Sequence, residues 1–194
     1  MGKKIICIGD SNTYGYKPGS SFGGRYPEGV RWTGLLARDG HEVVNLGANG
    51  MAVPERESFG MIRNRLSGEM PADVILAMLG TNDVLLNGAA AKETAEKMAV
   101  FLSEVVLPLH KEGRVVLISP LSLKEGTWVQ SPAQIAESRL LGAEYKKAAE
   151  AMKISFADAD GWGVETASDG VHFTAEGHRT FAEHIRKIVA EETL

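Results

Sequence analysis

Five short apolar runs, at residues 5–8, 43–46, 74–79, 115–118 and 154–156, constrain this chain more than any other feature. Most are continuous rather than alternating, as expected of parallel strands buried on both faces. The last is short and carries Ser155 at its centre, which suits an edge strand. Helical periods fill the intervals. Ala95, Met98, Ala99, Leu102, Val105, Val106 and Leu109 keep one face for about four turns. Ser131-Pro132-Ala133-Gln134 is a capping box with proline at the first helical position, opening a helix that turns Ile135, Leu141, Tyr145 and Ala148 inward. Phe181, Ile185, Ile188 and Val189 mark a closing helix with Thr174 as its N-cap. Shorter helices are expected at 32–38 and 54–66, with Gly40 and Gly113 at helix exits.

The resulting β-α unit repeats five times, too few for a barrel, which needs eight. The expected fold is α/β: a three-layer α/β/α sandwich on a five-stranded parallel sheet with right-handed crossovers. All 194 residues fit one domain. In open sheets of this kind ligands bind beyond the carboxyl ends of the strands, so reactive residues should follow strand ends.

The formal net charge is -4 and the basic residues are scattered, which leaves no footprint for a phosphate backbone or an anionic membrane. Neither nucleic acid nor membrane is an expected partner. Cys7 is the only cysteine and sits in an apolar run, so a buried thiol is expected and an intramolecular disulfide is impossible. No apolar stretch approaches the ~18 residues of a membrane span, and no signal peptide is legible. Gly2 invites N-myristoylation, but Ile6 stands where Ser or Thr is required. A cytoplasmic location is expected.

Four chemically promising blocks do follow strand ends. They are Gly9-Asp10-Ser11-Asn12, Asn45-Leu46-Gly47-Ala48-Asn49-Gly50, Gly80-Thr81-Asn82-Asp83, and Asp169-Gly170-Val171-His172 before the final helix. A serine hydroxyl is a weak nucleophile without an adjacent base. His172 alone among the five histidines lies in a pre-helix loop with an acid three residues upstream. There Asp169 can accept the imidazole Nδ1–H, fix the tautomer and stabilise the imidazolium. The Ser11 N–H, the Gly50 N–H and the Asn82 amide are candidate oxyanion donors, each typically worth on the order of 10²–10³ in kcat. Asp10 and Asp83 are read as loop anchors accepting backbone N–H groups. Taken singly, each block also fits a turn or a helix cap. Their conjunction at one sheet edge is what points to acyl transfer.

Together the four blocks resemble the GDSL/SGNH hydrolase family, whose signature is Gly-Asp-Ser, a glycine block, Gly-x-Asn-Asp and Asp-x-x-His in that order. The resemblance spans nearly the whole chain. It implies a flavodoxin-like fold, Ser11 as nucleophile, Ser11, Gly50 and Asn82 as oxyanion donors, and Asp169 with His172 completing the triad, with no cofactor or metal. Asn12 departs from the leucine of the name-giving motif. Arg31-Trp32-Thr33-Gly34 and Asp169-Gly170-Val171-His172-Phe173 also resemble the arylesterase/acyltransferase branch. That branch implies short, often acetyl, esters, transfer to alcohols in some members, and homo-oligomers; an Arg-Trp pair at a helix start can equally be a packing unit.

The loop after Ser11 holds Tyr14, Tyr16, Phe22 and Tyr26, and the loop after the fourth strand holds Leu121, Leu123 and Trp128. An apolar acyl or alcohol pocket is expected among these side chains, and Asn12, Tyr14, Trp128 and Val171 are the candidate substrate contacts. The expected activity is a serine esterase for a small ester. A thioesterase or lysophospholipase and a carbohydrate deacetylase are alternatives with the same triad. A non-catalytic module binding a small anion at the Gly9–Ser11 turn is the rival from another class, and it would have no need of Asp169 and His172.

Overall fold

The computed structural model describes residues 2–20 and 24–191, which leaves Phe22 outside the described residues. Five parallel strands, β1 Lys4–Gly9, β2 Glu42–Asn45, β3 Val74–Met78, β4 Arg114–Ser119 and β5 Ser155–Asp158, form one sheet in the order β2-β1-β3-β4-β5. This is the flavodoxin-like order, with its switch point between β1 and β3. The run at 154–156 becomes edge strand β5, as its polar centre predicts.

The continuous apolar runs divide strictly by face. Ile6 and Ile8, Ile75 and Ala77, and Val115 and Leu117 enter one core; Ile5 and Cys7, Leu76 and Met78, and Val116 and Ile118 enter the other. Helices α2 (Trp32–Arg38) and α8 (Ala175–Ala190) contribute Leu36, Phe181, Ala182 and Ile185 to the second core. Helices α3 (Phe59–Ser67), α5 (Ala91–Phe101) and α7 (Pro132–Met152) contribute Leu66, Met98, Phe101 and Leu141 to the first. Two cores on one sheet make the three-layer sandwich. Cys7 is fully buried, and burial pushes its thiol up, so it is un-ionised.

Both expected N-cap side chains are in place, although the Gln134 side chain donates to the Leu85 carbonyl at 2.7 Å and does not close the capping box at Ser131. Ser131 Oγ accepts from the Gln134 N–H at 3.4 Å and Thr174 Oγ1 from the Gly177 N–H at 3.0 Å. Two helices differ from their expected form. The segment expected at 54–66 opens with a short 3₁₀ turn, Arg56–Ser58, before α3. The period through 95–109 is broken after α5 by a π turn, Leu102–Val106, which leads into α6 (Leu107–Leu109). The wider turn lets adjacent Val105 and Val106 both reach full burial. Pro108 cannot donate to the Glu104 carbonyl one α-turn back, and the Arg63 guanidinium donates to it instead at 2.7 Å. Among the described residues no helix is long and apolar enough to cross a membrane.

Candidate active site

Two short helices follow the strands on either side of the switch point: α1 (Ser11–Tyr14) after β1 and α4 (Thr81–Leu85) after β3. Gly9 pairs with Met78 across those strands, so the segments carrying Ser11 and Asn82 leave the sheet side by side. Asp10 caps α1 by accepting the Asn12 N–H at 2.9 Å, which sets Ser11 on the first helical residue. Burial pushes the Asp10 carboxyl up, and the Asn12 bond only partly offsets this. Asp10 is an anchor, as its sequence position indicates.

Ser11 Oγ lies 3.0 Å from His172 Nε2, and His172 Nδ1 lies 2.8 Å from Asp169 Oδ2. The second Asp169 oxygen accepts the Val171 and His172 N–H groups, both at 2.9 Å. Burial works to raise the Asp169 carboxyl. The bonds from His172 and Val171 outweigh it, and Asp169 is held below the usual carboxylate range. An ionised Asp169 fixes the proton on Nδ1, which leaves Nε2 free to accept the Ser11 O–H. Gly170 makes this tight loop possible. Its φ is +84°, and a Cβ there would lie 2.0 Å from the Lys124 carbonyl oxygen.

The Gly50 loop approaches from the β2 side. Gly50 is exposed at φ +70°, the left-handed region that favours glycine. Asn82 Nδ2 donates to the Met51 carbonyl at 3.0 Å, and Asp83 Oδ2 accepts the Val53 N–H at 2.9 Å. Consecutive residues of α4 therefore hold the loop. The second amide hydrogen of Asn82 is not needed for that task. Among the described residues, the Ser11 and Gly50 N–H groups donate to no other protein group. Asp83 is an anchor too, and burial pushes its carboxyl up.

The candidate substrate contacts separate. Trp128 lies edge-on to His172 at 4.8 Å between ring centroids and is 53% exposed. Its loop is pinned to the Asp169 turn by Lys124, Thr127 and Trp128 N–H groups donating to the Gly170, Ser168 and Asp169 carbonyls. Val171 is buried beside His172. The ring of Tyr14 lies under the Arg25 guanidinium, 4.3 Å from centroid to Cζ. The face against His172 belongs to Tyr16, at 4.4 Å. Helix α1 ends at Gly15 with φ +90°, so the chain reverses and residue 16 returns where 14 was expected. That glycine was the available signal. Asn12 is buried, and its amide is bonded to the protein at both ends, through Nδ2 to the Val171 carbonyl and through Oδ1 to the Phe173 N–H. Leu121 and Leu123 are buried in the two cores. Of the Arg31-Trp32 pair, Trp32 is a packing residue: it is buried, and its Nε1–H donates to the Asn12 carbonyl at 3.0 Å. Among the described residues no group of three or more His, Cys, Asp or Glu could hold a metal ion.

The family model for GDSL-like lipases/acylhydrolases matches residues 7–180. Among solved structures, the chain is similar to a carbohydrate acetylesterase from Sinorhizobium meliloti, at 25% identity and TM-score 0.84, covering 97% of this chain and 98% of that one. It is also similar to the native aryl esterase of M. smegmatis, at 26% identity and TM-score 0.81, covering 95% and 99%. A member of the lipolytic G-D-S-L family from Veillonella parvula shares the fold at 22% identity and TM-score 0.75, covering 97% and 99%. No curated protein matches.

Proposed function

The chain belongs to the GDSL-like lipase/acylhydrolase family and is a serine ester hydrolase, and we propose that it cleaves short acyl esters, acetyl foremost, through an acyl-enzyme on Ser11. The observation that carries this reading is the unbroken relay from Asp169 through His172 to Ser11, with contacts of 2.8 and 3.0 Å. His172 takes the Ser11 proton as Oγ attacks the ester carbonyl. The oxyanion forms against the Ser11 and Gly50 N–H groups and the second Asn82 amide hydrogen. His172 then protonates the departing alcohol, and a water activated by the same imidazole releases the acid. An alcohol on the leaving-group side can replace that water and take the acyl group.

Support for a short acyl group comes from the similarity to a carbohydrate acetylesterase and an aryl esterase. The leaving-group side is open. Beyond Tyr16 and Trp128 runs a groove of about 370 Å³ that also touches Pro18, Gly19, Ser20, Thr127, Ser168 and Asp169. An exposed indole beside hydroxyl groups suits the flat face and polar rim of a pyranose. This favours acetylated carbohydrate as a second reading, the substrate named for the Sinorhizobium meliloti neighbour.

Activity of Ser11→Ala on p-nitrophenyl acetate tests the mechanism, with a fall of roughly 10³–10⁶-fold expected and wild-type turnover fatal to it. A series of acetyl, butyryl and octanoyl esters, run beside acetylated sugars, tests the substrate. Rates rising with chain length would overturn the short-acyl reading.

A further inference from the structure

We propose that Asn12 is a positioning residue that sets the distance between Ser11 and His172, a role that rests on the reading of those two as nucleophile and base. Its side-chain Nδ2 donates to the Val171 carbonyl at 3.1 Å, and its Oδ1 accepts the Phe173 N–H at 2.9 Å. These two groups flank His172 on either side in the chain. One amide therefore brackets the base, reaching across 159 and 161 residues of sequence from the position next to the nucleophile. Its own backbone is held at both ends: the N–H donates to Asp10, and the carbonyl accepts the Trp32 indole N–H.

Apart from this clasp, the Ser11–His172 bond itself is the side-chain hydrogen bond that joins the two loops. A bond that must break and re-form in each catalytic cycle cannot hold its own partners in register. The Asn12 amide plays no part in proton transfer and stays formed throughout. It is 5% exposed, so water does not compete for either of its bonds. Leucine, the residue of the name-giving motif, can fill the volume but can make neither bond.

The test measures kcat, KM and the rate of covalent inactivation by a small fluorophosphonate, well below the melting temperature, in wild type, Asn12→Leu and Asn12→Asp. Asn12→Asp keeps the acceptor for Phe173 but sets an oxygen against the Val171 carbonyl. It carries the test if the leucine variant does not fold. Both variants should lose about 10–100-fold in kcat and in inactivation rate while KM stays within about twofold, since misplacing reacting groups by about 1 Å costs up to 10²-fold. Ser131→Ala, which removes the cap of α7 and so a comparable local bond, should lower stability without changing the inactivation rate. Folded Asn12 variants that are inactivated at the wild-type rate would overturn the clasp. So would losses of activity that track melting temperature and that Ser131→Ala reproduces. Wild-type protein inert to the fluorophosphonate would instead overturn the reading of Ser11 itself.

Discussion

On the Ser11–His172 side of the site the polar groups are bonded to one another and buried; on the Gly50 side the loop is exposed and held from behind through Asn82 and Asp83. The first half consists of proton-carrying groups, and each fixes the orientation of the next. The second consists of donors, for which orientation matters only once charge develops on the substrate. Donors left without protein partners face a smaller desolvation cost where water can reach them, which the exposed Gly50 loop allows. On the proposed mechanism, the difference means that the groups for proton transfer are already joined in the resting fold, while the oxyanion donors gain their partner only with substrate. Substitutions in the two halves should therefore separate kinetically.

The largest effect is expected in the bonded half. Asp169→Asn keeps the shape but presents the wrong partner to His172 Nδ1, and turnover should fall by about 10⁴-fold with KM little changed. A loss of under tenfold on p-nitrophenyl acetate would break the comparison at its strongest point.

The same half has a pH limit set one layer deeper. His178 is fully buried behind Trp32, and its Nδ1 accepts the Trp32 N–H at 3.5 Å. Burial, aided by the Arg31 charge, pushes His178 down to about 3. The unfolded chain takes up this proton near pH 6.5, while the folded protein refuses it until about pH 3. Stability should therefore fall with acid across that window, by up to about 1.4 kcal/mol per pH unit for this one proton. His178→Gln, which does not titrate, should flatten urea-denaturation midpoints between those limits. An unchanged slope would show that other groups carry the acid sensitivity.

In the donor half, Asn82→Ala should cost about 10²–10³ in kcat, less than Asp169→Asn. It also removes the bond to the Met51 carbonyl, so Asp83→Ala serves as the companion that loosens the loop without deleting a donor to substrate. That variant leaves the buried Val53 N–H unpaired, a cost of about 1–3 kcal/mol in stability with a smaller kinetic effect. Asp83→Asn keeps an acceptor there, and it should recover the loop's position and most of the activity. Equal kinetic losses in Asn82→Ala and Asp83→Ala would mean that Asn82 acts only through the loop.

The halves also differed in how far the sequence disclosed them. The strands and both caps were legible because an apolar run or a Ser-Pro pair carries its own local physics. The relay was legible for a similar reason, since Asp169 and His172 lie on one short turn that follows from their spacing. The clasp was not. Asn12 acquires its partners only when β1 and the loop before α8 are brought to the same sheet edge, and no local pattern encodes Val171 and Phe173 as its neighbours. That Tyr16 packs on His172 depends on the left-handed Gly15 that ends α1, a turn with no apolar pattern of its own. The π turn was hidden because its cause, two adjacent valines competing for one core, looks like ordinary helical period until packing decides between them.

The smallest effect, and the one that bears most on substrate, concerns the wall between the halves. Trp128 is half-exposed yet its backbone is pinned to the Asp169 turn, so its ring is presented rigidly beside His172. A rigid apolar face loses little entropy when a ligand packs on it, and such contacts are worth about 0.5–1.5 kcal/mol. If the ring packs on the leaving group, as proposed, Trp128→Ala should raise KM by roughly 2–10-fold and leave kcat near wild type. The increase should appear for aryl and sugar acetates and vanish for methyl acetate, whose leaving group is too small to reach the indole. If KM for methyl acetate rises equally, Trp128 supports His172 instead, and the aromatic wall belongs to the bonded half of the site.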